Sequence, residues 1–125
     1  MIYVASLYSL NAKTNSFQDT CTRQHRYEYT EKRVSEFLSK GESVYSPIVH
    51  CHNMSVRYSL PKEYKFWQNH DRHMIDLCEG VYVLMMEDWE LSEGITDEIN
   101  YAMDLGKPVT YISCDDFMDV YSKTN

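Results

Sequence analysis

A serine, a glycine and a glutamate stand at short intervals where a loop enters a helix, at Ser92, Gly94 and Glu98. A serine and a glycine at a helix start can present a hydroxyl and backbone amides to an anion, and the helix dipole adds to that attraction. The Glu98 carboxylate falls one helical turn later on the same face. We therefore predict a ligand site with a reactive carboxylate. The alternative is that Ser92 only caps the helix and Glu98 is a solvated charge.

Two histidines, His50 and His52, flank Cys51. On a strand, side chains at this spacing point the same way, as a metal-binding pair would. Zinc sites usually need at least three protein ligands, and no third ligand stands at a suitable spacing. We expect no metal and no other cofactor. We predict instead that the two histidines contact a nucleobase or are packed as polar side chains.

Short apolar runs alternate with helical patterns along the chain. The run at 81–86 is the most apolar, which is typical of a central parallel strand covered on both faces. Pro47 places the second predicted strand at a sheet end or edge, and a loop with irregular helix is expected after it, at 50–64. The pattern predicts strands at 2–5, 43–49, 81–86 and 109–112, and helices at 20–40, 66–77 and 95–105.

This alternation predicts an α/β fold in which residues 1–125 form a single domain. We expect a Rossmann-like (flavodoxin-like) parallel sheet of about five strands with helices on both faces. Such sheets bind ligands outside the carboxyl ends of their strands. The segments 6–9, 46–52 and 88–98 would then meet at one edge of the sheet.

Composition excludes several classes of partner. The net charge of -7 argues against binding to bulk DNA or RNA, although a single small phosphorylated ligand remains possible. The four cysteines form no C-x-x-C pair, so we expect reduced thiols packed as small hydrophobic side chains. No basic region precedes an apolar run at the start, and no apolar stretch approaches the ~20 residues of a membrane span. We therefore expect a cytoplasmic protein without membrane contact.

The stretch G-V-Y-V-L-M-M-E-D-W-E-L-S-E-G-I-T-D-E-I-N-Y-A-M-D-L-G-K-P-V resembles the signature of the nucleoside 2-deoxyribosyltransferase-like superfamily. This group includes deoxyribosyltransferases and deoxynucleoside monophosphate N-glycosidases. The pattern is a strand, S-x-G-x-x-x-E, a helix with a small residue, G-K-P-V and a strand. The pieces Y-V-A-S-L-Y-S, S-P-I-V-H-C-H and F-W-Q-N-H-D resemble a bacterial and phage branch of it. The matching residues are Ser92, Gly94, Glu98, Ala102, Gly106, Lys107, Pro108 and Val109.

The resemblance implies that Glu98 is a nucleophile. It would attack the anomeric carbon while the base departs, and water or another base would resolve the ester. Ser92 would contact a phosphate or the sugar. Asp71, or less well Asp76, would lie near the sugar or base, although Asp71 could instead cap its helix. Since a nucleophilic carboxylate must be ionised, we expect hydrogen-bond donors such as a Tyr hydroxyl around Glu98.

Other substrate contacts follow from the same resemblance. Ser6 and Tyr8 lie in the family's first ligand-binding loop, although Tyr8 could be a rim aromatic. Arg26 would meet a phosphate, or pair with a nearby acid. Trp89 would shield the site or stack on a base, or only cover the loop.

Two acidic residues depart from the pattern. Asp88 stands where the branch usually has glycine, and Glu93 lies between Ser92 and Gly94. Both place negative charge near the expected phosphate position, which disfavours a tightly bound 5′-phosphate.

The expected function is hydrolysis or transfer of the N-glycosidic bond of a (deoxy)nucleoside or nucleoside monophosphate. The alternatives are a non-catalytic nucleotide-binding sensor or ligand-sequestering protein, and a subunit whose interface matters more than its pocket. Family members often complete their pockets across an interface. We therefore expect a homodimer or higher homo-oligomer, with contacts through the helices at 66–77 and 95–105.

Overall fold

The computed structural model describes residues 1–10 and 17–118, and the side chains of 1–10 and 22–118. Parallel strands alternate with α-helices through this part of the chain, and one 3₁₀ turn precedes the last helix. The elements are β1 (Ile2–Ala5), α1 (Phe17–Ser39), β2 (Val44–Tyr45), α2 (Pro47–Tyr58), α3 (Tyr64–Leu77), β3 (Gly80–Met85), the 3₁₀ turn (Trp89–Leu91), α4 (Glu93–Asp104) and β4 (Val109–Ser113).

The sheet has the order β2-β1-β3-β4 and every strand pair in it is parallel. The chain runs from β1 outward to β2 and then returns to β3 on the other side of β1. This reversal between β1 and β3 creates the crevice in which parallel α/β sheets bind ligands. The predicted Rossmann-like parallel α/β fold is confirmed, with four strands in the described part of the chain.

Helices cover both faces of the sheet. Successive side chains of a strand point to opposite faces, so each face presents side chains for a helix to cover. Tyr3 faces α4 and hydrogen-bonds to Glu98. Tyr82 points to the opposite face, where its ring lies 5.2 Å from that of Phe37 in α1. The inner strands carry the core, with side chains such as Val4 and Leu84 fully buried. Two-sided burial explains why β1 and β3 read as continuous apolar runs.

The predicted strand at 43–49 and the predicted loop at 50–64 are wrong. The strand is only Val44–Tyr45, and Pro47–Tyr58 is the helix α2. Ser46 caps this helix by accepting a hydrogen bond from the Val49 amide at 3.1 Å. Pro47 occupies the start of the helix, where a missing N–H costs nothing. The proline interpreted as a strand edge is therefore a helix start.

Helix α3 begins at Tyr64, earlier than predicted, and its N-cap residue is Glu63. Asp71 consequently lies in the middle of the helix. The alternative that Asp71 caps this helix is wrong, because its carboxylate is far from the free amides of the first turn.

Three buried thiols, those of Cys51, Cys78 and Cys114, are free, as expected for cysteines packed as small hydrophobic side chains. The side chain of Cys21 lies outside the described residues. No helix within residues 1–10 and 17–118 combines the length and apolar character that crossing a bilayer requires.

Helix α2 ends on a residue in the left-handed conformation, Ser59, at φ 54°. This conformation costs a non-glycine residue roughly 1–2 kcal/mol, a cost that glycine avoids. Glycine also gives the unfolded chain more conformational freedom, which cancels part of that gain in stability. We expect Ser59→Gly to raise the free energy of unfolding by about 0.5–1 kcal/mol. Ser55→Gly, inside the same helix, should lower it by about 0.5 kcal/mol. Urea titration of both variants checks this, and equal effects would contradict it.

Candidate active site

A cavity of about 460 Å³ opens beyond the carboxyl end of β1, between α2, α3 and the start of α4. Small-molecule sites typically enclose ~300–1,000 Å³. The segments 6–9, 46–52 and 88–98 each contribute to it, as the parallel sheet predicts. Seven predicted site residues line it: Ser6, Tyr8, His52, Asp71, Ser92, Gly94 and Glu98.

Glu98 lies in the second turn of α4 and its side chain is 5% exposed. The Tyr3 hydroxyl donates a hydrogen bond to its Oε2 atom at 2.6 Å. Because Glu98 is buried and lines the cavity, the alternative of a solvated helix charge is wrong. A tyrosine hydroxyl does hold the carboxyl, as the sequence led us to expect. Position and partner together make Glu98 a buried carboxyl well placed to meet a ligand.

Asp71 extends from α3 toward the Glu98 carboxyl, and it is also 5% exposed. Its carboxyl lies within hydrogen-bonding reach of both Glu98 and Tyr3. Its Oδ1 atom is buried and accepts no hydrogen bond from any described residue. An unpartnered buried oxygen that lines a cavity is available to a ligand donor. The two carboxyls and the Tyr3 hydroxyl therefore form one buried cluster at the cavity wall.

The protonation of this cluster is unusual for carboxyls. Burial raises the pKa of Asp71 to about 6, although hydrogen bonds with Glu98 and Tyr3 oppose the rise. Burial and the charge of Asp71 raise the pKa of Glu98 well above its usual range, while the Tyr3 hydrogen bond opposes this. Two adjacent carboxyls cannot both ionise cheaply away from water. Near neutral pH the pair carries one negative charge and one proton.

The Ser92–Gly94 segment starts α4 at the edge of the cavity. Ser92 accepts a hydrogen bond from the Ile95 amide at 3.1 Å, so it is the N-cap residue, and its own hydroxyl proton is left to donate. Gly94 has a packing role that the sequence did not indicate. A Cβ atom there would lie 2.8 Å from the Tyr64 ring. Glycine at this position therefore lets α3 approach the start of α4 closely.

His52 lies on the α2 side of the cavity and is 4% exposed. The Tyr8 hydroxyl meets its Nδ1 atom at 2.6 Å, and Gln24 Oε1 lies 2.9 Å from its Nε2 atom. The Tyr27 ring stacks on the imidazole at a centroid distance of 4.1 Å. Ser6, nearby in the same loop as Tyr8, accepts a long hydrogen bond from the Thr30 hydroxyl at 3.4 Å. His52 is therefore held rigidly behind Tyr8.

The predicted shared orientation of His50 and His52 is wrong, because both lie on a helix. Side chains two apart there diverge by roughly 200°, and His50 is exposed, outside the cavity lining, with its ring 5.9 Å from that of Tyr45. Within residues 1–10 and 17–118, no three His, Cys, Asp or Glu side chains are grouped as metal ligands.

Arg26 and Trp89 also do not line the cavity. Arg26 donates a hydrogen bond to the Tyr8 carbonyl at 3.2 Å, which supports the loop from behind. Trp89 packs on the core, with its ring 5.8 Å from that of Tyr111, in the position of a hydrophobic cover. Asp76, the weaker alternative to Asp71, accepts a hydrogen bond from Tyr101 and is likewise outside the lining.

Sequence reasoning missed several residues of the site. Tyr3 was assigned only to the buried strand, although its alternation toward the α4 face was a usable signal. The helix was predicted to begin at 66, which left Tyr64 in the preceding loop, but α3 begins at Tyr64. Two lysines and a tryptophan at the start of α3, Lys62, Lys65 and Trp67, also line the cavity. The two lysines offset the charges of Glu63 and Glu93, which also line the cavity, so the acidic residues there do not by themselves exclude a phosphate.

The raised pKa values of the carboxyl pair predict a pH-dependent stability. A buried carboxyl binds its proton more tightly when folded, so the free energy of unfolding should fall as pH rises from about 4 through 6, where Asp71 ionises, and should fall further above that because of Glu98. We expect Glu98→Gln to be more stable than the wild type at pH 8, by roughly 1–3 kcal/mol. The difference should shrink toward pH 4, where the carboxyl is protonated in both states. Urea titration at several pH values measures it.

Asp97→Asn is the matched control on the same helix. Hydrogen bonds from Arg72 lower the pKa of Asp97, so its stabilisation is present above about pH 4 and is lost as pH falls further. This variant should be less stable than the wild type at pH 8. If both variants shift stability in the same direction, the assignment of a strained carboxyl pair is incorrect.

Comparison with known proteins identifies the family to which the chain belongs. No curated protein matches the chain. A protein family described as a domain of unknown function, DUF1937, matches residues 1–114. This match spans all four strands of the sheet and every residue of the cavity lining. The chain therefore belongs to the DUF1937 family.

Proposed function

We propose that this protein hydrolyses or transfers the N-glycosidic bond of a (deoxy)nucleoside or nucleoside monophosphate, with Glu98 as the nucleophile. The observation that carries the proposal is the buried cluster of Glu98, Asp71 and Tyr3 at the wall of the cavity. The resemblance of the S-x-G-x-x-x-E segment to nucleoside 2-deoxyribosyltransferase-like proteins supplies the reaction class. The cavity volume is suited to a ligand of nucleoside size.

The shared proton suits a double displacement. In the first step, the ionised Glu98 carboxylate bonds to the anomeric carbon as the carbon–nitrogen bond breaks, and the base leaves with the electron pair. For this step, the proton that burial favours on Glu98 must first move to Asp71, from which the departing base can take it. In the second step, water or another base attacks the anomeric carbon, Asp71 takes up the proton, and Glu98 leaves as a carboxylate. The Tyr3 hydrogen bond stabilises that carboxylate.

The rim of the cavity is consistent with either a nucleoside or its monophosphate. The Ser92 hydroxyl retains a proton to donate to a sugar or phosphate oxygen. Lys62 and Lys65 supply two positive charges to the lining, and Glu63 and Glu93 supply two negative ones. A phosphate at this rim would meet a balanced rather than a strongly positive surface.

The main alternative is a binding protein without turnover. It is favoured by one observation, namely that burial raises the pKa of Glu98. A protonated Glu98 is a weak nucleophile but a good hydrogen-bond donor to a ligand. The same cavity would then serve a nucleotide sensor or a ligand-sequestering protein.

Glu98→Gln separates these functions. In an enzyme it should lower the rate of free-base release by at least ~10³-fold, while ligand affinity changes by less than about tenfold. Asp104→Asn, an exposed carboxylate on the same helix, should retain wild-type rates. Chromatographic detection of free base across a nucleoside and nucleotide panel gives the rates. Wild-type base release by Glu98→Gln would refute the nucleophile, and tight binding without any wild-type turnover would favour the sensor.

We also propose that the protein forms at least a homodimer through α3 and α4. Phe66 and Leu77 on α3 and Met103 on α4 are large apolar side chains that are more than half exposed in the single chain. Light scattering at micromolar concentration should give at least twice the chain mass. Leu77→Lys should reduce the mass to that of one chain, whereas Val56→Lys on α2 should not. A monomeric wild type would contradict the proposal.

A further inference from the structure

The hydrogen bonds behind the cavity have a fixed direction. Glu28 carries a carboxylate, which only accepts hydrogen bonds, so the Gln24 amide must turn its Nε2 group toward it, at 3.1 Å. Gln24 then presents its Oε1 atom to His52, 2.9 Å from Nε2. An amide oxygen accepts, so the His52 proton lies on Nε2. The Nδ1 atom of a neutral imidazole is then an acceptor.

This order fixes the Tyr8 hydroxyl. Its oxygen lies 2.6 Å from His52 Nδ1, and an acceptor there takes the hydroxyl proton. Burial lowers the pKa of His52, and the charge of Arg23 lowers it further, although Glu28 opposes them. The imidazole is therefore neutral at neutral pH, as the chain of hydrogen bonds requires. Tyr8 consequently offers the cavity only the lone pairs of its oxygen.

We propose that Tyr8 is a specificity-determining acceptor that selects ligands carrying an amino group, and that the preferred substrates are nucleosides of amino-bearing bases. This inference rests on the proposed function, since it places the anomeric carbon at Glu98. The base then extends toward another wall of the same cavity, where Tyr8 and His52 form an aromatic corner, with the buried Arg23 near enough to lower the pKa of both. An oxo group placed against the Tyr8 oxygen would face its lone pairs and be repelled. An amino group would donate to them.

The inference predicts a preference set by the amino group, which the comparison of deoxyadenosine with purine deoxyriboside isolates, since deoxyinosine also carries a proton on the neighbouring ring nitrogen. Deoxyadenosine, purine deoxyriboside and deoxyinosine carry an amino group, a hydrogen and an oxo group at the same ring position. In the Glu98→Gln protein, which does not consume them, deoxyadenosine should bind about tenfold more tightly than either of the others. Isothermal titration calorimetry gives the three dissociation constants.

Two further substitutions in that protein test the cause. Tyr8→Phe removes the acceptor and should bring the three affinities within about threefold of one another. Gln24→Lys places a donor against His52 Nε2, which moves the imidazole proton to Nδ1 and turns the Tyr8 hydroxyl proton toward the cavity. This variant should reverse the preference, so that deoxyinosine binds more tightly than deoxyadenosine. Gln24 is exposed, so the replacement should not prevent folding.

Tyr27→Phe is the matched control. Its ring still stacks on His52, and its hydroxyl bonds to Glu31 at 2.9 Å rather than to the chain that ends at Tyr8. The preference for deoxyadenosine should therefore persist. Equal affinities in the Glu98→Gln protein, or an equal loss for all three ligands when Tyr8→Phe is added, would overturn the selection of amino groups while leaving the proposed function intact. Failure of every nucleoside to bind would overturn both.

Discussion

Two carboxyls removed from water side by side are the constraint on which the rest of the site depends. Burying a charge costs several kcal/mol unless hydrogen bonds or opposite charges compensate it. Here Asp71 and Glu98 have the Tyr3 hydroxyl and each other, and burial keeps a proton between them. Such an arrangement opposes folding at neutral pH, and the surrounding packing must be tight enough to hold it.

That packing comes from the contact between α3 and α4. Gly94 lets the Tyr64 ring lie against the first turn of α4. The Tyr64 hydroxyl donates a hydrogen bond to the Asp97 carboxylate at 3.0 Å. Arg72 reaches the same carboxylate from α3 through two nitrogen atoms. A bidentate ion pair fixes orientation as well as distance. The adjacent acidic residues of α4 thus have different roles, since Asp97 holds α3 and α4 together and this packing keeps Glu98 buried.

The sequence predicted those parts of this arrangement that depend on local pattern. Apolar runs located β1 and β3, and the spacing from Ser92 to Glu98 located the helix α4, which carries Glu98. It did not predict α2, because a serine before a proline starts a helix or ends a strand, and the hydrogen bond from the Val49 amide to Ser46 decides between them. The contact of Tyr3 with Glu98 joins distant segments, so no local spacing encodes it. Family resemblance, rather than periodicity, pointed to Asp71.

The two sides of the cavity differ in how their protons are fixed. At Glu98 the proton is shared between two acids, so it can move during a reaction and the pair can accept or release it. At Tyr8 the proton is committed by a chain of partners that ends at Glu28, which is only partly buried. The first arrangement is suited to chemistry and the second to recognition, because a group that must discriminate between ligands gains from an unchanging polarity. Under the proposed function, the mobile proton would therefore serve the reaction and the fixed proton would set the orientation of the ligand.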